Sequence, residues 1–400
     1  MNILVLPSWY PPHGGGFFKE QCEALAEANN EVRVLAVNRV SPRYFTGWFF
    51  AILNLFFSRY SKEREGDVEV VRMNYPGLPL LPKWEMRIFV YVQLRLFEKV
   101  SFGRNKRAEP NVIHVHSAIW AGVTANVIKQ KYGIPYVITE HRGRFCNSDF
   151  VAASERQEMN FEEVKDAFVT ADSVLCVSQS LVDHIAKLTL PSKIKVLGNM
   201  VDTELFKPSK NVERNSRVRF LTVANLVELK GVEELIRAFS RVCEKRRNVE
   251  LVIVGEGKLK PKLLGLVGEL QLTDRVIFRG RLSKTEVRNE MIKADVFALT
   301  SRYESFGVVY IEAMSCGLPV VATKSGGGLS LVKDFNGLLA EIENVESIYE
   351  KLIEILESKK RFDPAKIRNF VIENYSKEFI SSSLISSLSE VARNREISNV

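Results

Sequence analysis

The chain has no Cys-x-x-Cys pair, no His-x-x-x-His, no Gly-x-Gly-x-x-Gly and no internal repeat of solenoid period. Its five cysteines, Cys22, Cys146, Cys176, Cys243 and Cys316, are scattered and odd in number. That excludes a disulfide framework or a zinc ribbon and points to a reducing setting. Five histidines with no ligand spacing leave little from which to build a metal centre. The first residues, Met1-Asn-Ile-Leu-Val-Leu-Pro7, lack a basic leader and a small-residue cleavage site, so they are expected to form a first strand in a cytoplasmic protein.

What is present is globular. An apolar fraction of 46% and a charged fraction of 26% are those of a folded, water-soluble chain, and 400 residues suit two domains better than one. The net charge of +8 is localised, because residues 33–107 hold fourteen Lys or Arg against six Asp or Glu. Within that stretch the longest uncharged run is 44–58, rich in Phe and carrying Trp48. As a helix its fifteen residues would measure about 22 Å, too short for the roughly 30 Å hydrocarbon core, although it could lie on an anionic membrane surface. The competing reading is an ordinary insertion packed on the sheet. A basic chain also admits nucleic-acid binding, but no recognised motif accompanies the charge, so no nucleic-acid partner is expected.

Apolar runs alternate with helix-like segments from end to end. Strands are expected at 3–6, 32–37, 68–73, 112–116, 136–139, 174–177 and 194–197, then at 220–224, 251–254, 276–278, 296–299 and 320–322. This is the α/β pattern of parallel sheets covered on both faces, arranged as two doubly wound, Rossmann-like domains. The apolar periodicity breaks at 199–217. Residues 376–391 carry a one-sided stripe of Ile380, Leu384, Ile385, Leu388 and Val391.

Several strand ends carry chemistry. Pro11-Pro-His-Gly-Gly-Gly-Phe-Phe18 follows the first strand and precedes a helix, which suits either backbone approach to a ligand or a plain tight turn. His114 and His116 share one face of a strand and read as buried histidines, half a metal site or a proton donor at a ligand. Lys230-Gly231 stands where a loop meets a helix start, placed for a phosphate or simply on the surface. Val254-Gly255 closes the next strand. Glu304 lies on a loop before Phe306, Gly307 and Val308, and Glu312 lies within the helix that follows. Singly, each carboxylate is unremarkable. Because Lys230, Gly255, Glu304 and Glu312 follow successive strands of one sheet, they converge on one crevice edge.

In this order the set resembles the family 4 glycosyltransferases, retaining enzymes of the GT-B fold that use nucleotide-diphospho-sugars. The resemblance rests on Gly14-Gly-Gly16, Val112 to His116, Gly198-Asn-Met-Val-Asp202 with Phe206, Lys230-Gly231, Val254-Gly255, Phe278-Arg-Gly280 and, most specifically, Glu304 to Thr323. It implies that Glu312 binds the nucleotide ribose and Glu304 the transferred sugar, with Phe306, Gly307 and Val308 offering backbone N–H groups. Lys230 would neutralise the diphosphate, Gly15 and Gly16 would close over it, His116 would reach the sugar, and Gly255, Arg281 and Leu282 would line the nucleotide. His116, Lys230 and Glu304 are thereby the catalytic candidates.

One departure stands out. The family commonly has Arg where this chain has Asn225, and Arg142 or Arg144 would have to replace that charge. The resemblance further implies an acceptor-side domain over 1–201, a donor domain over 202–372 and a segment 373–400 returning to the first domain. It implies no metal and no cofactor beyond the UDP- or GDP-sugar substrate, in keeping with the absence of Asp-x-Asp. The basic aromatic stretch adds the expectation of a lipid-linked or membrane-proximal glycan acceptor. The alternatives on the same fold are a phosphorylase and a nucleotide-sugar epimerase.

Overall fold

The computed structural model describes residues 1–11, 16–57, 59–102, 109–141, 161–209 and 216–398. The chain divides into two compact units, Met1–Leu197 with Ser381–Val400, and Gly198–Ile380. Each is built on a largely or wholly parallel sheet, which matches the doubly wound fold expected from the alternation of strands and helices.

The first unit holds β1 (Asn2–Pro7), β2 (Glu31–Val40), β3 (Ser61–Glu65), β4 (Val68–Pro76), β5 (Val112–His116), β6 (Tyr136–Glu140), β7 (Ser173–Cys176) and β8 (Ile194–Val196). Their order across the sheet is β3-β4-β2-β1-β5-β6-β7-β8. Strands buried on both faces need continuous apolar runs, and β5 and β6 are buried at every position. The helices are α1 (Gly16–Glu27), α2 (Phe45–Phe57), α3 (Pro82–Phe102), α4 (Val123–Tyr132), α5 (Phe161–Thr170) and α6 (Gln179–Ile185).

Strand β3 departs from the expected pattern. Its sequence Ser-Lys-Glu-Arg-Glu has no apolar face, and it pairs antiparallel with β4 through a turn at the left-handed Gly66. As a charged edge strand it is held by backbone bonds and by ion pairs to Arg72, so apolar periodicity could not signal it.

The second unit holds β9 (Val218–Val223), β10 (Val249–Val254), β11 (Val276–Gly280), β12 (Val296–Leu299), β13 (Val320–Thr323) and β14 (Gly337–Ala340), ordered β11-β10-β9-β12-β13-β14. Its helices are α7 (Val232–Lys245), α8 (Lys260–Glu269), α9 (Lys284–Lys293), α10 (Val308–Ser315), α11 (Gly326–Leu331), α12 (Val345–Glu357) and α13 (Pro364–Tyr375), and the last helix, α14 (Lys377–Ser398), starts here and continues in the first unit. Strand order reverses between β9 and β12 here, and between β1 and β5 in the first unit. At such switch points the loops after neighbouring strands diverge and leave a crevice.

Backbone bonds define where the units part. Leu197 N–H bonds Cys176 O at the edge of the first sheet, whereas Val201 N–H bonds Tyr375 O in the second unit. The apolar stripe of α14 is buried at Ile380, Leu384, Leu388 and Val391. From Ser381 onward α14 belongs to the first unit, where Glu390 pairs with Lys195 at 2.7 Å and Arg395 with Glu109 at 2.7 Å.

Inside the second unit Arg368 of α13 donates to Ser315 O (2.7 Å), Phe206 O (2.9 Å) and Thr203 O (2.9 Å). One guanidinium thus satisfies a carbonyl at the end of α10 and two from the 203–206 segment. Arg368→Met keeps most of the packing and removes all three bonds, so urea unfolding should show a loss of about 2 kcal/mol or more. A midpoint equal to that of the wild type would show that this junction does not hold the unit together.

Candidate functional site

A cleft of about 380 Å³ opens in the second unit at the ends of β9, β10 and β12, which is where the strand order reverses. It is lined by Asn225, Lys230, Gly255, Arg281, Leu282, Glu304, Gly307 and Val308 among others. Eight residues singled out from the sequence are therefore brought together.

The loop after β12 carries Glu304, and two glycines fix its path. Gly231, in the left-handed region at φ 62°, follows Lys230 directly and lies so close to the loop that an added Cβ would sit 2.0 Å from Thr300 O. On the other side an added Cβ at Gly327 would sit 2.3 Å from Phe306 O, and Gly327 N–H donates to Glu304 O at 2.7 Å. No other residue permits such approaches. Thr300 Oγ1 donates to Gly231 O at 2.7 Å and completes the clamp.

The result is a defined pair. Lys230 Nζ donates to Glu304 Oε2 at 2.5 Å, with the two side chains 21% and 16% exposed. Ser301 Oγ reaches the same carboxylate oxygen at 3.4 Å. Gly307, at φ 86°, turns the chain into α10, whose first residues Val308 and Val309 line the cleft. A helix start offers unpaired N–H groups and the positive end of the helix dipole, so cation, carboxylate and anion-binding N–H groups border one space. The adjacent Arg302 is occupied elsewhere, paired with Glu234 and with Glu343 at 2.9 Å.

Other expected site residues stand apart. Phe306 is buried against Tyr375, ring centroids 5.6 Å apart, and does not line the cleft. Glu312 lies one turn into α10, half-buried and outside the lining. Gly15, Arg142 and Arg144 fall outside the described residues, whereas Gly16 is the exposed first residue of α1. Glu256 and Val309, which the sequence did not single out, do line the cleft. The signal for Glu256 was its place in the Val-Gly-Glu-Gly turn after β10, from which only the glycine was taken.

In the first unit the switch point between β1 and β5 holds a cluster of histidines. His116 Nδ1 lies 3.3 Å from His141 Nε2, and His114 Nε2 lies 2.8 Å from Thr139 Oγ1. The His116 ring is fully buried and stacks on Phe18 at 4.3 Å. Glu140, equally buried, accepts from Ser117 Oγ (3.0 Å), Ala118 N–H (2.8 Å) and His141 N–H (3.0 Å). Among the described residues no group of three or more His, Cys, Asp or Glu side chains is placed to hold a metal ion.

Two profiles of known families tile most of the chain. Residues 17–205 match the one described as Glycosyltransferase Family 4, and residues 202–375 the one described as Glycosyl transferases group 1. Among characterised and uncharacterised relatives, the chain is 28% identical over 367 residues to an uncharacterised glycosyltransferase of Methanocaldococcus jannaschii, covering 87% of each. It is 29% identical over 390 residues to one component of the human phosphatidylinositol N-acetylglucosaminyltransferase, covering 94% of this chain and 73% of that one. Solved structures share the fold at low identity. A sucrose-phosphate synthase from Thermosynechococcus elongatus superposes with a TM-score of 0.76 at 20% identity, covering 96% of this chain and 98% of the other. Anabaena HepE, solved in complex with UDP, gives 0.73 at 20% identity, covering 98% and 100%.

Gly327→Ala should lower stability by about 2 kcal/mol or more in urea melts, since the added methyl meets a fixed carbonyl; an unchanged melt would show that the clamp yields. A second expectation concerns the histidines. Burial pulls the His114 imidazole down to about 3 and His116 well below its usual range. An unfolded chain takes up protons on both near 6.5, so stability is complete above about that pH and is lost as pH falls toward the folded-state values. The unfolding free energy read from urea melts should therefore fall between about pH 7 and pH 5, by up to about 4 kcal/mol for the two rings together. A flat profile would contradict neutral buried rings.

Proposed function

We propose, for a chain that belongs to the family 4 glycosyltransferases, that it takes a sugar from a nucleotide-diphospho-sugar and passes it with retained configuration to a hydroxyl of a lipid-linked or membrane-proximal glycan. Its fold is that of the GT-B glycosyltransferases and its activity that of a hexosyltransferase. The observation that carries the donor reading is the Lys230–Glu304 pair beside the N-terminus of α10, in a cleft at the switch point of the second sheet.

In this reading the diphosphate takes the helix start and draws Lys230 away from Glu304. That frees one carboxylate to accept hydrogen bonds from sugar hydroxyls, since an ionised carboxylate only accepts. The anomeric C–O bond then breaks with its electron pair going to the diphosphate, whose growing charge Lys230 and the α10 N–H groups offset. The acceptor oxygen bonds to the anomeric carbon from the same side, and its proton passes to the departing phosphate oxygen. No metal enters any of these steps.

Supporting roles follow the same logic. Glu312, one turn deeper in α10, is assigned to the ribose, and Arg281 and Leu282 to the base. Asn225 lines the phosphate end without adding charge, so Lys230 carries more of the neutralisation. The assignment of His116 to a donor hydroxyl has one requirement. Its ring is neutral and its Nε2 has no partner among the described residues, but the ring lies beneath Phe18, which has to move. A membrane-proximal acceptor is supported by the basic aromatic stretch, and the cytoplasmic face is the location proposed for the reaction.

Thermal shift against a panel of UDP-, GDP- and ADP-sugars tests the donor assignment. A cognate donor at 100 times its dissociation constant should add about 2.7 kcal/mol of stability. Lys230→Ala and Glu312→Ala should each abolish that response while leaving the unliganded protein folded. No response to any donor would overturn the reading, and a full response in either variant would remove that residue from the site.

A further inference from the structure

We propose that the outer face of α2, the turn leading into α3 and the exposed side of α3 form a single surface that lies on an anionic lipid bilayer. This deepens the membrane-proximal acceptor reading and rests on it for its purpose, but the surface is built only from side chains of the first unit.

Helix α2 contains thirteen residues and no charge. Its inner side packs on the sheet, with Ala51 buried and Trp48 Nε1 donating to Gly77 O at 3.1 Å. Its outer side does not pack: Phe45 is 73% exposed, Phe49 50%, Phe50 54% and Phe57 65%. Water-exposed Phe at this density is rare on a monomeric protein and marks a surface that something covers.

The exposed face continues beyond α2. The Trp48–Gly77 bond sets the start of the helix beside the 77–81 turn, where Leu80 is 89% exposed. Tyr91 Oη donates to Leu55 O at 3.4 Å and Lys99 Nζ to Phe57 O at 3.3 Å, so the far end of α2 lies along α3. Trp84 and Tyr91 thereby join the same face, both exposed.

Charge identifies the occupant. The ionic groups interleaved with these aromatics are Arg43, Arg59, Lys83, Arg87 and Arg95, with Arg87 over the Trp84 ring at 5.3 Å and Arg95 over Tyr91 at 5.9 Å. Between residues 70 and 95 the one carboxylate is Glu85, and it is buried and bound to Arg39 at 2.5 Å. A cationic rim repels a second copy of itself and attracts phosphate headgroups, and Trp, Tyr and Phe with Lys and Arg are the residues of an interfacial anchor. Spanning is excluded for this helix, whose thirteen residues measure about 20 Å. Among the described residues no helix is long and apolar enough to cross a membrane.

Flotation of the full chain with phosphatidylcholine vesicles, with and without one-third phosphatidylglycerol, tests the proposal. At low salt the wild type should float with the anionic vesicles and much less with the neutral ones. The F49S/F50S/L80S/W84S variant should stay at the bottom, and K83E/R87E should bind roughly fivefold more weakly per altered cation. All substituted side chains are exposed, and an unchanged melting curve together with an unchanged response to the cognate nucleotide sugar, measured without vesicles, verifies folding. Wild type that remains at the bottom, or a quadruple variant that floats like wild type, overturns the proposal. So does a wild-type dimer that the quadruple variant dissolves in the absence of vesicle binding, since a second copy would then cover the face. Because donor response is read separately, its loss with flotation intact would sink the donor assignment alone, and the reverse result would sink the surface alone.

Discussion

The arrangement of the second unit depends on one loop held between two glycines. Residues 300–306 run between Gly231 and Gly327, each so close to a loop carbonyl that a methyl group has no room. Gly231 follows Lys230 and Gly327 bonds Glu304 O, so the contacts that fix the loop also fix both members of the ion pair. Backbone packed on backbone is far less adjustable than side-chain packing, and it sets where α10 begins. An anion site at a helix start is useful only if that start stays in place.

The two switch points differ in character. In the second unit the crevice is lined by a lysine, two glutamates, an arginine and a helix N-terminus, a set suited to a charged, polyhydroxylated ligand. In the first unit the corresponding strand ends carry buried neutral histidines, aromatic rings and the enclosed carboxylate of Glu140. The first unit also bears the exposed aromatic and basic face of α2 and α3. In the proposed reading, donor chemistry falls to the second unit and acceptor access to the first.

Most strands were legible because a parallel strand buried on both faces must be an uninterrupted apolar run, as in 251–254 and 296–299. Strand β3 was hidden because a solvent-facing edge imposes no apolar pattern, and β14 because Gly-Leu-Leu-Ala opens on a glycine and has no β-branched or aromatic residue to mark it as a strand. In the cleft, Lys230, Gly255 and Glu304 could be read because each lies in the connection between a strand and the helix that follows it. Glu256 could not, since its lining role depends on where its side chain points after Gly255. Glu312 and Phe306 show the converse limit: being close in sequence to Gly307 did not place them on the cleft wall. Exposure on the outer side of α2 was also beyond the sequence, where an apolar run reads equally as core or as interface.

The most direct test of the donor site is a crystal structure with a nucleotide-diphospho-sugar bound. The diphosphate should lie at the N-terminus of α10, with Lys230 Nζ withdrawn from Glu304 and on a phosphate oxygen. A diphosphate bound elsewhere, with Lys230 still paired to Glu304, would contradict the account.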